Sequence, residues 1–182
     1  CLVNIRNNIC SIFNYERISL SKGQRVADLG CGRTGHFVFP AVKVVGEKGI
    51  VYAVDVVKNI LESIKSLARS EGFDNVQTVW SNIELPGKTP IPDGSLDVCF
   101  YVNVLFQIKN KEGALQEGVR MLKKGGYLVV VDWAKKLGML GPSAESMVNQ
   151  EELVSLAVKQ NLKLIEKLLP GDYHFSLIFE KV

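Results

Sequence analysis

The sequence has few of the side chains that build metal centres and disulfide scaffolds. Its 182 residues include two histidines and four cysteines. The cysteines, at positions 1, 10, 31 and 99, contain no CxxC pair, and two histidines are too few for a zinc site of the usual Cys/His spacing. We therefore expect no metal site, and we expect four reduced thiols in a cytoplasmic protein.

A long apolar run and a strong excess of one charge are also missing. No apolar stretch approaches the ~18 residues of a membrane-spanning helix, and the first residues show no signal-peptide pattern. The 22 basic side chains nearly balance the 19 acidic ones, for a net charge of +3. A dedicated nucleic-acid-binding domain is far more basic, so charge does not indicate such a partner. What is present, 47% hydrophobic residues at this length, suits one globular domain.

From residue 24 onward, short β-branched runs alternate with longer segments of helical spacing. The predicted strands are residues 26–29, 50–54, 76–80, 96–102 and 127–131. The clearest predicted helices are residues 59–71, 112–122 (stopped by Gly125 and Gly126) and 150–160 (capped by Asn149). Alternation at this length indicates βαβ crossovers and a parallel sheet. The strands are apolar on both faces, as a sheet covered by helices on both sides requires.

The last twenty or so residues break this alternation. Two apolar runs, residues 162–168 and 175–179, are joined through Pro170 and Gly171 with no room for a helix, which predicts a hairpin with an antiparallel strand. The expected fold is α/β: a three-layer, doubly wound, seven-stranded, mostly parallel sheet with an antiparallel C-terminal hairpin strand. We expect one domain over residues 22–182, preceded by an N-terminal arm or short helix over residues 1–21.

A glycine-rich segment after the first predicted strand carries most of the functional information. Gly30, Gly32 and Gly35 satisfy G-x-G-x-x-G, which predicts a tight turn opening the first helix, where a ligand can approach the main chain. Asp55 closes the second strand, where a carboxylate can accept hydrogen bonds from both hydroxyls of a ribose. Together these features predict an adenosine-type ligand. Asp28, two residues before Gly30, would face a pyrophosphate, so it favours a ligand carrying ammonium and sulfonium groups instead.

The segment Asp28-Leu29-Gly30-Cys31-Gly32 resembles the first motif of the class I S-adenosylmethionine-dependent methyltransferases, which share a Rossmann-like fold. The nearest resemblance within that family is to small bacterial and archaeal relatives of the quinone-biosynthesis methyltransferases. It covers roughly residues 22–182 and includes the terminal hairpin, which nicotinamide-binding folds lack. Gly35 departs from the family pattern because it comes one residue later. Two groups are therefore candidates for the contact to the methionyl carboxylate: Arg33 and a helix N–H.

The resemblance implies S-adenosylmethionine as the cofactor and assigns further residues to its site. The cofactor-binding residues that we expect are Asp28, Gly30, Cys31, Gly32, Gly35, Asp55, Val56, Asn82, Ile83 and Asn103. Asn82 stands where the family has an adenine-contacting acid, although an Asx turn into the following loop explains it equally well. Ile83 could pack on the adenine ring, and the backbone around Asn103 would line the sulfonium end.

Three residues are candidates for contact with a methyl acceptor: Gln107, Trp133 and His174. Trp133 follows the fifth strand, at the carboxyl ends of the strands, where ligands bind in open α/β sheets. It could form an aromatic wall for a ligand or serve only as a packing residue. A base role for His174 competes with a purely structural one. The sequence identifies no catalytic acid or base, and none is required when the methyl donor is already activated and positioning lowers the barrier.

The predicted activity is an in-line methyl transfer to a small-molecule acceptor. The alternatives are an rRNA, tRNA or protein methyltransferase, a cofactor-binding member without turnover, and an NAD-dependent oxidoreductase. Asn103-Val104-Leu105-Phe106 lacks the Pro-Pro-aromatic sequence of exocyclic-amine methyltransferases, which disfavours adenine or cytosine N-methylation. A nucleic-acid partner and a homodimer stay open.

Overall fold

A computed structural model describes residues 18–136 and 141–182 of the chain. Within these residues, seven strands form one sheet in the order β3-β2-β1-β4-β5-β7-β6. The strands are β1 (Arg25–Leu29), β2 (Ile50–Asp55), β3 (Val76–Trp80), β4 (Leu96–Val102), β5 (Leu122–Trp133), β6 (Leu162–Leu168) and β7 (His174–Lys181). Most of the predicted N-terminal arm, residues 1–17 of 1–21, lies outside the described residues.

The pairing of the strands confirms the predicted α/β fold. β1 to β5 are paired in parallel, whereas β7 runs antiparallel to both β5 and β6. Successive side chains of a strand point to opposite faces. Tyr101 of β4 accordingly joins the apolar layer on one face, and its neighbour Phe100 joins the layer on the other. Both layers are fully buried, which explains the continuous apolar runs of the central strands.

Four α-helices cover the faces of the sheet in the described part of the chain: α1 (Val38–Val45), α2 (Lys58–Ser70), α3 (Lys111–Met121) and α4 (Gln150–Lys159). Asn149 caps α4 as predicted, because its Oδ1 accepts the N–H groups of Glu151 and Glu152 at 3.0 and 3.2 Å. None of these helices is both long and apolar enough to cross a membrane.

The first helix begins later than the glycine pattern predicts. α1 starts at Val38, and residues 34–37 form turns instead of a helical turn that opens directly from the glycines. Pro40 explains the shift, because proline has no N–H and is tolerated only in the first turn of a helix. A helix that began at Gly35 would carry Pro40 in its interior and leave the carbonyl of His36 without a donor.

The boundary between α3 and β5 also differs from the prediction. The helix ends at Met121, and Leu122 already pairs with Leu96 of β4. The register shifts before Val98, which pairs with Tyr127, so the intervening residues of β5 form a bulge. The double glycine therefore lies in this bulge, where Gly125 has φ +75°, and does not stop the helix.

The connection between β3 and β4 is fastened to α3 by a buried ion pair. Glu117 accepts the backbone N–H groups of Gly87 and Thr89 at 2.6 and 2.7 Å, and Arg120 donates to it at 2.8 Å. Burial alone would raise the pKa of Glu117, but the hydrogen bonds from Arg120 and from the two N–H groups lower it to about 2. The loop that the sequence presents only as rich in turns is thus held in place, and Ser81 contacts Thr89 at 3.1 Å.

Candidate cofactor site

A cavity of about 720 Å³ opens at the carboxyl ends of the parallel strands. This volume is in the usual range for small-molecule sites, and the position is the one expected for ligands of open α/β sheets. All predicted site residues except Gly35 line it: Asp28, Gly30, Cys31, Gly32, Asp55, Val56, Asn82, Ile83, Asn103, Gln107, Trp133 and His174. The structure therefore brings residues from most of the chain length to one place.

The first two glycines of the pattern differ in the space around their α-carbons. Gly30 (φ +86°) is packed closely, because a Cβ there would lie 2.5 Å from Cγ2 of Val104. Gly32 (φ +63°) faces open space, since no described atom lies within 4 Å of such a Cβ. The N–H groups of Gly30 and Cys31 both donate to the carbonyl of Val54, at 2.8 and 3.0 Å, which holds the turn against β2. Of these two glycines, Gly32 is the one whose α-carbon a ligand can approach.

The third glycine is not on the cavity wall. A Cβ on Gly35 would lie 2.8 Å from both Cδ1 of Ile64 and Cε2 of Phe39. The missing side chain thus allows the turn to pack against α1 and α2. Arg33, one of the two candidates for the carboxylate contact, is exposed and also lies off the wall, which instead contains Thr34.

Asp55 connects the end of β2 to the glycine turn. Its Oδ1 accepts the N–H of Val57 at 2.9 Å, and its Oδ2 accepts the N–H of Gly32 at 3.2 Å. A carboxylate has about four lone-pair positions, so both oxygens can still accept bonds from a ligand. The side chain is buried, with 9% of the residue exposed, but it lines the cavity.

Asp28 has an acceptor atom that the rest of the described chain leaves unused. The residue is 3% exposed, and its Oδ1 has no hydrogen-bond partner among the described residues. Burial raises the pKa of Asp28 to about 7, and the charge of Asp55 adds to the effect. Buried polar atoms are normally paired, so this oxygen indicates a donor or a cation brought by a ligand.

Cys31 and Asn103 reach the cavity from neighbouring strand ends. Burial, followed by the charge of Asp28, raises the pKa of the Cys31 thiol, which is therefore no nucleophile at neutral pH. Asn103 adopts φ +50°, a left-handed conformation that asparagine tolerates. Its N–H donates to the carbonyl of Val131 at 2.8 Å, while its buried Oδ1 lacks a partner within the described chain. Gln107 donates to the Asn103 carbonyl at 3.3 Å.

The turn after β3 forms the wall beside the end of β2. Asn82 makes the Asx turn, since its Oδ1 accepts the N–H of Glu84 at 3.0 Å, and Ile83 is buried against the cavity. Glu84 then accepts the N–H of Asn110 at 2.8 Å, which ties this turn to the start of α3. The sequence alone gave no reason to single out Glu84, because its partner lies 26 residues further on.

Trp133 and His174 form the opposite end of the cavity. They are register partners in the antiparallel pairing of β5 and β7, with ring centroids 4.5 Å apart and planes inclined by 37°. His174 is buried, and its Nε2 is without a hydrogen-bond partner in the described residues. Burial lowers the pKa of His174, so its imidazole is neutral at pH 7.

Sequence reasoning missed about half of the cavity wall. The additional lining residues are Thr34, His36, Phe37, Val57, Ile60, Ser81, Glu84, Val102, Val104, Ile108 and Gly141. Most of them flank the predicted strand ends, so a wider window around each end would have included them. Gly141 has no such signal.

A protein-family model described as a methyltransferase domain matches residues 20–170 of the chain. The chain belongs to the class I S-adenosylmethionine-dependent methyltransferases. Among solved structures, a SAM-dependent methyltransferase from Aquifex aeolicus superimposes with a TM-score of 0.81 and 26% identity, over 92% of this chain and 87% of that one. The seven-stranded sheet of this chain, with its antiparallel C-terminal hairpin, is thus the fold of a class I methyltransferase.

Curated relatives include the ubiquinone/menaquinone biosynthesis C-methyltransferase UbiE of Vibrio vulnificus, which is 36% identical over 114 residues. That match covers 62% of this chain and 42% of the relative, so the similar region spans less than half of the relative's length. The geranyl diphosphate C-methyltransferase of Streptomyces coelicolor, solved with Mg²⁺, geranyl diphosphate and S-adenosyl-L-homocysteine, has a TM-score of 0.75 over 93% of this chain and 78% of that one. At 14% identity it shows the shared fold alone.

Proposed function

We propose that this methyltransferase domain binds S-adenosylmethionine along β1, β2 and β4 and transfers the methyl group to a small-molecule acceptor. The observation that carries this proposal is the unsatisfied Oδ1 of Asp28, buried in the cavity beside Asp55. A ligand with an ammonium group would satisfy that oxygen and favour its charged form. A pyrophosphate would be repelled by both carboxylates.

The residues at the glycine turn fit the methionyl group and the ribose of the cofactor. Asp28 would hold the methionyl ammonium, and Asp55 would accept the ribose hydroxyls with the lone pairs that its backbone bonds leave free. Gly32 would let the cofactor approach the main chain, because no described atom occupies its open side. Gly30 and Cys31 would shape this turn through their bonds to Val54.

The residues of the neighbouring wall suit an adenine ring. Val56 and Ile83 would offer apolar surfaces, and both line the cavity next to the end of β2. Asn82 uses its Oδ1 for the Asx turn, but an amide oxygen has a second lone pair for the adenine amino group. Asn103 would stand at the sulfonium end.

The cofactor, when bound, supplies a methyl group that is already activated by the positive sulfur. The chain's own residues then have to bind the cofactor and the acceptor, orient them and exclude water. Alignment of the reactants alone can lower a barrier by ~7–11 kcal/mol in favourable cases. Gln107, Trp133 and His174 would place the acceptor at the far end of the cavity. The printed names of the UbiE relatives support a small molecule, although they do not identify it. A cytoplasmic location and a homodimer stay predictions.

Thermal unfolding with candidate ligands tests the proposal. S-adenosylhomocysteine at about 100 times its Kd contributes ~2.7 kcal/mol, which raises the Tm by roughly 5–10 °C in a chain of this size. NADH at the same concentration should leave the Tm unchanged. Asp55→Ala should abolish the shift, whereas Asp74→Ala, an exposed carboxylate beyond α2 that is not on the cavity wall, should keep it. A shift with NADH and none with S-adenosylhomocysteine refutes the proposal.

A further inference from the structure

We propose that Trp133 and His174 form an acceptor subsite that selects uncharged, planar molecules with one hydroxyl or ring N–H donor, and that Nε2 of His174 accepts this hydrogen bond. The inference rests on the proposed function, because it names the acceptor class for the same cavity. It goes further by assigning the selectivity to one nitrogen atom and to the charge of the wall.

The position of the pair separates it from the glycine turn. Asp28 is the penultimate residue of β1, Trp133 ends β5 and His174 begins β7, and the sheet order is β1-β4-β5-β7. Neighbouring strands lie ~4.8 Å apart, so β5 is about 10 Å and β7 about 14 Å from β1 across the sheet. A second molecule can therefore occupy this end while the cofactor occupies the other.

The hydrogen-bonding state of His174 indicates what that molecule must offer. The residue is 3% exposed, lines the cavity, and its Nε2 finds no partner anywhere in the described chain. We assign the proton of the neutral imidazole to Nδ1, which leaves Nε2 as an acceptor. Because an unpaired buried acceptor costs free energy, a ligand that donates to Nε2 gains affinity over one that does not.

The charge of the wall disfavours anionic acceptors. With Asp28 paired to the cofactor's ammonium group, Asp55 and Glu84 remain as carboxyl groups on the cavity wall. Asp132 adds a third directly behind the subsite, where its Oδ1 accepts the N–H of Trp133 at 2.8 Å. Burial raises the pKa of Asp132 to about 6, and the N–H groups of Trp133 and Phe106 that it accepts favour its ionised form. A phosphate or carboxylate on the acceptor would be repelled in these partly buried surroundings.

The geometry of Trp133 provides the preference for a flat molecule. The indole is held by the His174 ring and by Gly141, whose φ is +89° and on which a Cβ would lie 3.1 Å from Cε3 of the indole. The indole is half-buried and lines the cavity. Aromatic rings pack against such a surface in offset or tilted arrangements.

Equilibrium dialysis of the S-adenosylhomocysteine complex with three probes tests the subsite: 2-naphthol, naphthalene and 2-naphthoate. Wild-type protein should bind 2-naphthol roughly tenfold more tightly than either of the others. His174→Phe keeps a ring but removes the acceptor, so it should weaken 2-naphthol binding roughly tenfold and leave naphthalene unchanged. His174→Gln retains an acceptor oxygen and should restore most of the affinity, and Tyr173→Phe, the adjacent residue, should behave as wild type.

The rise in Tm that S-adenosylhomocysteine causes in each variant separates the two proposals. If the shift is present and the three probes bind wild type equally, or His174→Phe binds 2-naphthol as wild type does, the subsite is refuted while the proposed function stands. Absence of saturable 2-naphthol binding to wild type refutes it as well. If wild type shows no shift at all, both proposals fall. His174→Leu takes the place of His174→Phe where the latter does not fold.

Discussion

The glycine-turn end of the cavity (Asp28 to Gly32, with Asp55) and its hairpin end (Trp133, Gly141 and His174) are built in different ways. At the first end, backbone conformations position the groups, and the turn is held by three backbone N–H groups that donate to β2. At the second end, the pairing of β5 with β7 brings together side chains far apart in the sequence. The first end should therefore be sensitive to backbone changes, and the second to changes of single side chains.

The largest expected effect comes from adding one carbon to the glycine turn. Gly30→Ala combines a left-handed conformation with a Cβ 2.5 Å from Val104, and should lower the free energy of unfolding by about 3 kcal/mol. Gly32→Ala is also left-handed but meets no described atom within 4 Å, so about 1 kcal/mol is expected. Urea unfolding compares the two variants, and Val104→Ala should partly rescue Gly30→Ala. Equal losses would show that packing at Gly30 is irrelevant.

An effect of similar size is expected from the ion pair that holds the β3–β4 loop, which belongs to neither end. Glu117→Gln should cost about 3 kcal/mol at pH 7, because it leaves the Arg120 charge without its buried partner. The low folded-state pKa of Glu117 contributes stability above its ordinary value of 4.5, and this contribution is lost as the pH falls from about 4.5 to about 2.

The difference in the free energy of unfolding between wild type and Glu117→Gln should therefore become smaller in acid, and urea unfolding from pH 7 to pH 3 measures it. Glu112→Gln, an exposed carboxylate on the same helix, is the control and should follow wild type. A gap that stays constant with pH would contradict the depressed pKa.

Cofactor affinity should depend on pH at the glycine-turn end. Asp28 has a folded-state pKa of about 7 without ligand, and an ammonium group would favour its ionised form. Binding of S-adenosylhomocysteine should thus release a proton and tighten about tenfold between pH 6 and pH 8. The stability of the free protein falls as the pH rises from about 3.8 to about 7, because in this range the folded state still holds a proton on Asp28 that the unfolded state has released.

Calorimetry in buffers of different ionisation enthalpy measures the released proton directly. Asp28→Asn cannot ionise, so its affinity should vary little with pH over the same range. Wild-type affinity that is flat between pH 6 and pH 8 would remove Asp28 from the ammonium site.

The smallest effect concerns α4, which packs against β6 and α3. Asn149→Ala removes the acceptor for two N–H groups at the start of the helix and should cost about 1 kcal/mol, or 2–4 °C in Tm. Asn149→Asp keeps a capping oxygen and should be nearly neutral. Neither change should alter S-adenosylhomocysteine affinity, and a loss of affinity would show that the two ends are coupled.

The parts of the fold that depend on local pattern were predictable. The apolar runs indicated all seven strands, and the Pro-Gly turn indicated the antiparallel hairpin. The start of α1 was missed because Pro40 restricts the helix from within, and the end of α3 because Leu122 pairs with a strand. Both errors come from tertiary or steric constraints that override helical spacing.

The site was predictable to the extent that strand ends converge. The lining residues at the ends of β1, β2 and β4 followed from that rule. The pairing of Trp133 with His174 did not, because it requires the register between β5 and β7, two strands that the sequence delimits only approximately. The packing role of Gly35 was equally hidden, since the motif does not record that Ile64 lies against it.

The placement of His174 as the first residue of β7 and Trp133 as the last of β5 has a consequence for engineering. Both stand where the ladder ends, so replacing them, or the turn that precedes β7, leaves the remaining pairs from Asp132–Phe175 to Tyr127–Glu180 in place. The methyl donor's end, carried by other strands, is untouched by such an exchange. We therefore expect that substitutions at Trp133, at His174 and in the turn before β7 can change the proposed acceptor subsite while the strands that carry the proposed methyl-donor site stay intact.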